Sequence, residues 1–313
     1  MKIGIPKGMY IYEKPILFEQ FFKLLGCKVV YSKDTDKVIL NNGLKFSIDE
    51  SCLASKIYIG HVNDLVKRRK HEGIDYIFIP RICTFNNNED ICVKFYAMYD
   101  ICRNVFNANF ITLNIDYKDK NSELRAFLQL GKKLNFKYSN IILAYIKARN
   151  MQRLYDLKKL REQYKNLAKF NGIKKNILIV SHPYIENDKY IGKPIINYLK
   201  KFDVNVMFSD INSSNINNTK LYTSLSKSIY WKSSKNLING ILEYKNYIDG
   251  IIYLTVFPCG PDSLVNEILV RKITNIPSIN IIVDEQEIGA GIYTRLESFL
   301  DILNQDDKKV SGK

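Results

Sequence analysis

No two cysteines in this 313-residue sequence are spaced Cys-x-x-Cys, and the six present (27, 52, 83, 92, 102 and 259) are too sparse for a disulfide scaffold. Structural zinc normally takes four ligands and often uses such a pair, so that reading is disfavoured too. No apolar run approaches the roughly 20 residues that cross a bilayer, which argues against a membrane protein. The sequence enters a strand pattern at Lys2–Ile5 with no signal-peptide hydrophobic region before it. A cytoplasmic location follows as the expectation, with the cysteines as thiols or metal ligands. Also missing are the phosphate-loop pattern Gly-x-x-x-x-Gly-Lys-Ser/Thr, the dinucleotide pattern Gly-x-Gly-x-x-Gly and the hydrolase elbow Gly-x-Ser-x-Gly. The chain is not expected to hydrolyse ATP by itself.

What is abundant is lysine. The formal charge is +15, which invites a nucleic-acid reading. The lysines are scattered, however, and come with heavy use of Ile, Asn and Tyr, the mix that A/T-rich codons produce. The densest runs, Lys67–Lys70 and Lys158–Arg161, read as solvated helix faces. No zinc finger, helix-turn-helix or aromatic-basic sheet motif accompanies them, so no nucleic-acid partner is expected. An acidic ligand such as a nucleotide or coenzyme A suits the charge equally well.

Hydrophobic content of 46% and charged content of 25% are those of a globular protein, and the length favours two domains. Strand patterns at Lys2–Ile5, Cys27–Tyr31, Asp75–Ile79 and Phe110–Ile115 alternate with helical patterns at Pro15–Leu25, Asp34–Leu40 and Leu53–Lys70. This alternation predicts a parallel sheet with helices on both faces. Arg81–Asp90 reads as a polar loop, and Asn212–Asn218 as a polar surface loop. A charged helical stretch free of proline then leads to a second α/β series. It begins at Asn176–Val180 and ends with the strand Ser278–Val283 and the helix Gly289–Leu303. The expected domains are 1–118, a helical connector 119–172, a second α/β domain 173–305, and a frayed tail 306–313. Two such units make a crevice between them the natural ligand site.

The stretch Phe257–Glu267 stands out. An apolar run ending at Val256 reads as a buried strand, and Ser263–Lys272 as a helix. Gly260 permits a sharp turn between them, and Pro261 suits a first helical turn. Cys259 is thereby placed at a strand's carboxyl end and a helix's amino end, where ligands bind in open α/β sheets and where the dipole favours a thiolate. Cys52 and Cys92 also fall at predicted helix starts, with Asp49 or Ser51 as a plausible cap before Cys52 and Asp90 as one before Cys92. Cys27 and Cys102 read as core. Three soft thiolates from distant points suit an iron–sulfur cluster, with one iron left open unless Cys83 closes it. Among other groups, His182 follows a strand end and is a candidate acid or base. Glu50 and Glu285 lie at element ends and could hydrogen-bond a substrate or serve as caps. Arg81, Gly260 and Ser263 are candidates for holding a ligand, Arg81 alternatively pairing with Asp75 or Glu89. His61 is read as orienting a backbone turn.

Several segments together carry a resemblance. They are Ile3–Gly8 with Tyr10 and Tyr12, Asp49–Cys52 with Gly60-His-Val62, Asp75–Arg81, Ile91–Phe95, and His182-Pro-Tyr184. Further on come Tyr230-Trp231, Asp249–Tyr253, Cys259–Ser263, and Thr294–Glu297 with Phe299–Asp301. The chain resembles acyl-CoA dehydratase activase-related proteins, relatives of the iron–sulfur subunits of 2-hydroxyacyl-CoA dehydratases. The resemblance implies two flavodoxin- or Rossmann-like doubly wound domains and a [4Fe-4S] cluster on Cys52, Cys92 and Cys259. It further implies an ATP-dependent activase or another one-electron donor as partner, an acyl-CoA or other small substrate, and pairing into a dimer. The expected function is oxygen-sensitive, low-potential one-electron transfer or reductive substrate activation. The alternative is a non-catalytic binding or regulatory protein of the same fold that takes a CoA-like or other acidic ligand. One departure matters: the family's Asp-Glu-His-Thr-Gly-Glu-Ala-Gly pattern is here Asp284–Gly291 with Gln286 in the histidine's place, which puts proton transfer or ligation there in doubt.

Overall fold

The computed structural model describes residues 1–86, 89–167, 174–210, 221–225, 229–286 and 289–311. The 212–218 loop and residues 287–288 of the departing segment lie outside them. The chain forms two compact units, one of residues 1–158 with 230–232 and one of 159–229 with 233–313.

The first unit runs β1 (Lys2–Ile5), α1 (Tyr10–Glu13), α2 (Leu17–Leu24), β2 (Lys28–Tyr31), α3 (Lys37–Phe46), α4 (Leu53–Glu72) and β3 (Tyr76–Phe78). It continues with β4 (Arg81–Asn86), β5 (Glu89–Asp90), α5 (Val93–Val105), β6 (Phe110–Ile111), β7 (Asn114–Asp116), α6 (Glu123–Lys133) and the start of α7 (Tyr138–Leu167). Its main sheet has the order β2-β1-β3-β6 and is parallel throughout. The first strand lies inside, with the chain moving to one side and then to the other. That order creates a crossover point between β1 and β3. Aromatic side chains fill one face. Phe18 and Phe22 from α2 lie 5.3 and 5.0 Å from Phe78, and Phe127 of α6 lies 4.6 Å from Phe21 and 5.0 Å from Tyr145. Phe18, Phe21 and Phe22 fall on one face of α2 at helical spacing, and α6 and α7 bring Phe127 and Tyr145 into the same core.

α3 and α4 cross at two glycines. Gly43 lies against the Lys56 carbonyl and Gly60 against the Ile39 carbonyl, so close that a Cβ at either position would collide with backbone. The first thirteen residues of α4 are buried. Within that stretch His61 is wholly buried, with Nδ1 3.0 Å from Ser32 Oγ and Nε2 3.0 Å from Thr35 Oγ1. Burial, with Lys7 nearby, lowers its pKa to about 3. His61 thus fixes the turn after β2, the role read for it from sequence.

Two sequence expectations need correction here. Residues 81–90 are not a loop, because β4 pairs antiparallel with β5 and parallel with β7 in a second, three-stranded sheet. The alternation was present, with Ile82 and Thr84 buried and Arg81 and Cys83 half-buried, but Pro80 and the polar residues masked it. Phe110–Ile115 is not one strand: β6 joins the first sheet and β7 the second.

The second unit continues through the end of α7 into β8 (Lys175–Val180), α8 (Pro183–Glu186), α9 (Gly192–Leu199), β9 (Val204–Phe208) and α10 (Lys232–Tyr244). It ends with β10 (Gly250–Val256), α11 (Gly260–Lys272), β11 (Ser278–Val283) and α12 (Ala290–Ser311). Its sheet is parallel, in the order β11-β10-β8-β9. The path is that of the first unit, with a crossover point between β8 and β10. β10 is buried along its whole length, which accounts for its unbroken apolar sequence. The tail expected to fray from residue 306 is helical through Ser311. Both units are therefore α/β with parallel sheets flanked by helices. Among the described residues, no helix is long and apolar enough to cross a membrane.

Candidate functional site

Cys52, Cys92 and Cys259 each occupy the residue that caps a helix amino terminus: α4, α5 and α11 respectively. The sequence reading placed each at a helix start, but the caps it named before Cys52 and Cys92 are replaced by the cysteines themselves. Crossover helices of a parallel sheet begin at the carboxyl edge of the strands. α11 follows β10, which puts Cys259 at that edge of the second unit's sheet, whereas Cys52 follows α3 and Cys92 follows β5 of the three-stranded sheet. All three are half-buried thiols. Each helix start offers backbone N–H groups and the positive end of its dipole to the sulfur. Cys52 Sγ lies 3.2 Å from Ser55 Oγ.

The other cysteines are held differently. Cys27 and Cys102 are buried, and burial pushes both thiols up, Cys102 strongly. Cys83, on β4, is also pushed up, by burial and then by Asp116, whose carboxylate accepts a hydrogen bond from it. Its carbonyl accepts from Ile91 N at 3.2 Å, which ties Cys83 to the residue preceding Cys92. Tyr10 is buried beside this hairpin, its hydroxyl 3.3 Å from the Ile82 carbonyl and its ring 5.0 Å from Phe95. Burial, Glu13 and the charges of Cys92 and Cys83 raise its pKa well above the ordinary value.

Behind Cys259 lies a buried polar constellation at the crossover point of the second unit. Asp262, in the first turn of α11, faces inward. Its Oδ1 accepts from His182 Nε2 at 2.8 Å and its Oδ2 from Thr255 Oγ1 at 2.9 Å. Burial pushes this carboxyl up, but His182 and hydrogen bonds from His182, Thr255 and Cys259 outweigh burial and hold it below the usual range. His182 caps α8 and its ring stacks on Tyr184, with centroids 5.1 Å apart. The group sews the loop after β8 to the loop after β10 and fixes the turn that carries Cys259. Sequence reasoning named His182 but missed Asp262. The signal available was an acid three residues past the cap, a position that often reaches back to its own helix terminus. Replacing Asp262 with Asn is expected to cost about 2 kcal/mol, since charge-assisted hydrogen bonds are lost in a buried setting. Urea unfolding measures this, and an unchanged midpoint would remove the constellation's structural role.

The remaining candidates are dispersed. Arg81 pairs with neither Asp75 nor Glu89. Its guanidinium lies 3.1 Å from Asp100 and 4.3 Å from the centre of the Tyr96 ring, both on α5. Glu50 is exposed in the loop before Cys52, and Glu285 is exposed in the turn after β11. Gly260 and Ser263 are exposed beside Cys259, the Ser263 hydroxyl donating to the Cys259 carbonyl at 2.7 Å. Gln286 donates its backbone N–H to Asp284 at 2.9 Å. Among the described residues, no group of three or more His, Cys, Asp or Glu side chains is assembled to hold a metal ion. Two of the three capping cysteines belong to one unit and the third to the other.

Comparison with known proteins adds the following. No curated protein sequence matches the chain. Among solved structures, the chain is similar to the SBP FpvC of Pseudomonas aeruginosa in complex with Mn2+, at 11% identity and a TM-score of 0.27, covering 98% of this chain and 99% of that one. It is also similar to AdcAII of Streptococcus pneumoniae, at 10% identity and a TM-score of 0.27, covering 97% and 96%. Likeness of this degree bears on no ligand. By sequence, residues 2–211 match the family described as CoA enzyme activase uncharacterised domain, DUF2229. That match spans more than half of the chain, and the protein therefore belongs to the CoA enzyme activase uncharacterised domain (DUF2229) family.

Proposed function

We propose that this protein carries a [4Fe-4S] cluster on Cys52, Cys92 and Cys259 and acts in low-potential one-electron transfer or reductive activation of a CoA-linked or other small substrate, with an ATP-dependent activase as electron donor. One observation carries the reading. The three cysteines that the family resemblance singles out are the three that occupy the cap position at a helix amino terminus. The donor chemistry fits, because cysteine sulfur is the soft ligand that selects iron–sulfur clusters. When bound, the cluster would supply a one-electron couple.

The protein's own residues have definable tasks. The helix termini present backbone N–H groups and the positive end of a dipole to the sulfurs. Asp262, held by His182 and Thr255, fixes the turn on which Cys259 rides. Tyr10 and Phe95 pack edge to face beside the hairpin that precedes Cys92. Cys83, on β4 rather than at a helix start, is left out of the ligand set.

Anaerobically purified protein is expected to be brown and to carry about four irons and four sulfides per chain. Serine at position 52, 92 or 259 should bleach it, whereas serine at 27 or 102 should not. Iron-free, colourless protein from anaerobic, iron-supplied cells would favour the non-catalytic reading instead, a binding or regulatory protein for an acidic ligand. Bleaching by Cys83→Ser would mean four thiolates and no open iron, and would turn the reading towards electron transfer alone.

A further inference from the structure

Most surface helices bury one apolar stripe, but α7 has two. Ile141, Ala144, Tyr145, Ala148 and Gln152 form the buried stripe, packed in the first unit. Ile141 lies against Gly131, Tyr145 against Phe127, and Gln152 Oε1 accepts from the backbone N–H groups of Ile16 and Leu17 at 2.9 and 3.0 Å. On the other side Ile142, Leu143, Ile146 and Leu154 are 40, 53, 49 and 67% exposed. At about 100° per residue, Leu143, Ile146 and Leu154 fall within about 80° of arc. Four large aliphatic side chains gathered on one exposed face mark a contact surface.

The charges around this face determine what it can meet. From Tyr138 to Tyr155 the sequence contains Lys147, Arg149 and Arg153 and no carboxylate. Two neighbouring carboxylates are engaged elsewhere. Glu123 accepts from the Tyr145 hydroxyl at 2.8 Å and lies 3.7 Å from Arg149, while Asp156 accepts from Gln152 at 2.7 Å and lies 3.7 Å from Lys14. The seam is thus apolar with basic flanks. A second copy of a chain carrying +15 would set like charges against one another here. Nucleic acid is held through phosphate contacts and base stacking, which leave an aliphatic seam without use.

We propose that the outward face of α7 docks an amphipathic helix of a separate, acidic protein. Its apolar seam would lie on Leu143, Ile146 and Leu154, and its Asp or Glu flanks would meet Lys147 and Arg153. The inference is independent of any cluster.

A fluorescein-labelled peptide of about 21 residues, some six helical turns, with a leucine seam and glutamate flanks is a suitable probe. Fluorescence anisotropy against the whole protein is expected to show binding that Lys147→Glu with Arg153→Glu weakens about tenfold or more, as charge reversal at a docking rim does. The same double variant should gain affinity for a lysine-flanked version of the peptide. Leu154→Glu should weaken both pairings. The altered side chains are exposed, and circular dichroism confirms that each variant is folded. No binding of either peptide, or binding indifferent to the charge swap, would overturn the proposal. So would light scattering that shows a wild-type dimer dispersed by Leu154→Glu, which would give the face to a second copy.

Discussion

Gly60→Ala is expected to destabilise the first unit by about 3 kcal/mol or more, at the upper end of the cost of overpacking. Most helix glycines gain stability on conversion to alanine, because the unfolded chain loses freedom. Position 60 differs in what stands opposite it. An added methyl would meet the Ile39 carbonyl, which belongs to the α3 backbone and has no rotamer with which to move aside. Gly43 faces the Lys56 carbonyl across the same crossing, so the two helices would have to part. Parting would shift the amino end of α4, where Cys52 and Ser55 lie. The urea midpoint should therefore fall steeply. Gly291→Ala, where nothing lies within 4 Å of an added methyl, is the control and should be neutral or slightly stabilising. A midpoint for Gly60→Ala equal to that of the wild type would mean that the crossing is looser than described.

The second large effect concerns Glu186, at the end of α8. It is buried, and its Oε1 has no hydrogen-bond partner among the described residues. Burial pushes its pKa up to about 8, against Lys159 on α7, His182 at the head of α8 and Lys193 on α9, with Asp210 after β9 pushing the same way as burial. The unfolded chain ionises this group near 4.5. Below that pH the carboxyl is protonated in both states and contributes nothing. Between about 4.5 and 8 the unfolded chain releases a proton that the folded protein keeps, so stability falls as pH rises and levels off above about 8. At about 1.4 kcal/mol per unit the penalty reaches at most about 5 kcal/mol at the plateau. Glu186→Gln should therefore raise the urea midpoint relative to wild type by more at pH 8.5 than at pH 6. His61 works in the opposite sense: neutral in the fold, it loses stability for the protein as pH falls from 6.5 towards 3. Reading the difference between Glu186→Gln and wild type separates the two. A difference that does not change with pH would show that Glu186 is solvated.

Much of the framework is legible in local pattern. The apolar runs at Ile177–Val180 and Ile251–Val256 could only be buried strands, and the turn chemistry around Gly260 and Pro261 placed Cys259 at a helix start. The β4–β5 hairpin escaped because its alternation is short and polar and because the partner of Ile82 on β7, Ile115, is 33 residues away. Asp262 escaped for a related reason. Its side chain looks like an ordinary helix-start acid until His182, 80 residues earlier, is brought against it. Glu186 carries no local mark at all, since only the packing of α7, α9 and the end of β9 around it makes the carboxyl unusual.

The strip Tyr230–Lys232 belongs to the first unit although its neighbours on both sides belong to the second. Asp90 donates its N–H to the Tyr230 carbonyl at 3.0 Å and is bridged to Trp231, while Lys232 lies 3.8 Å from Glu89. Modularity in space is thus not modularity along the gene. A truncation ending at residue 158 would discard three residues that complete the hairpin ahead of Cys92, and attempts to dissect the molecule at one cut should yield fragments frayed at that hairpin.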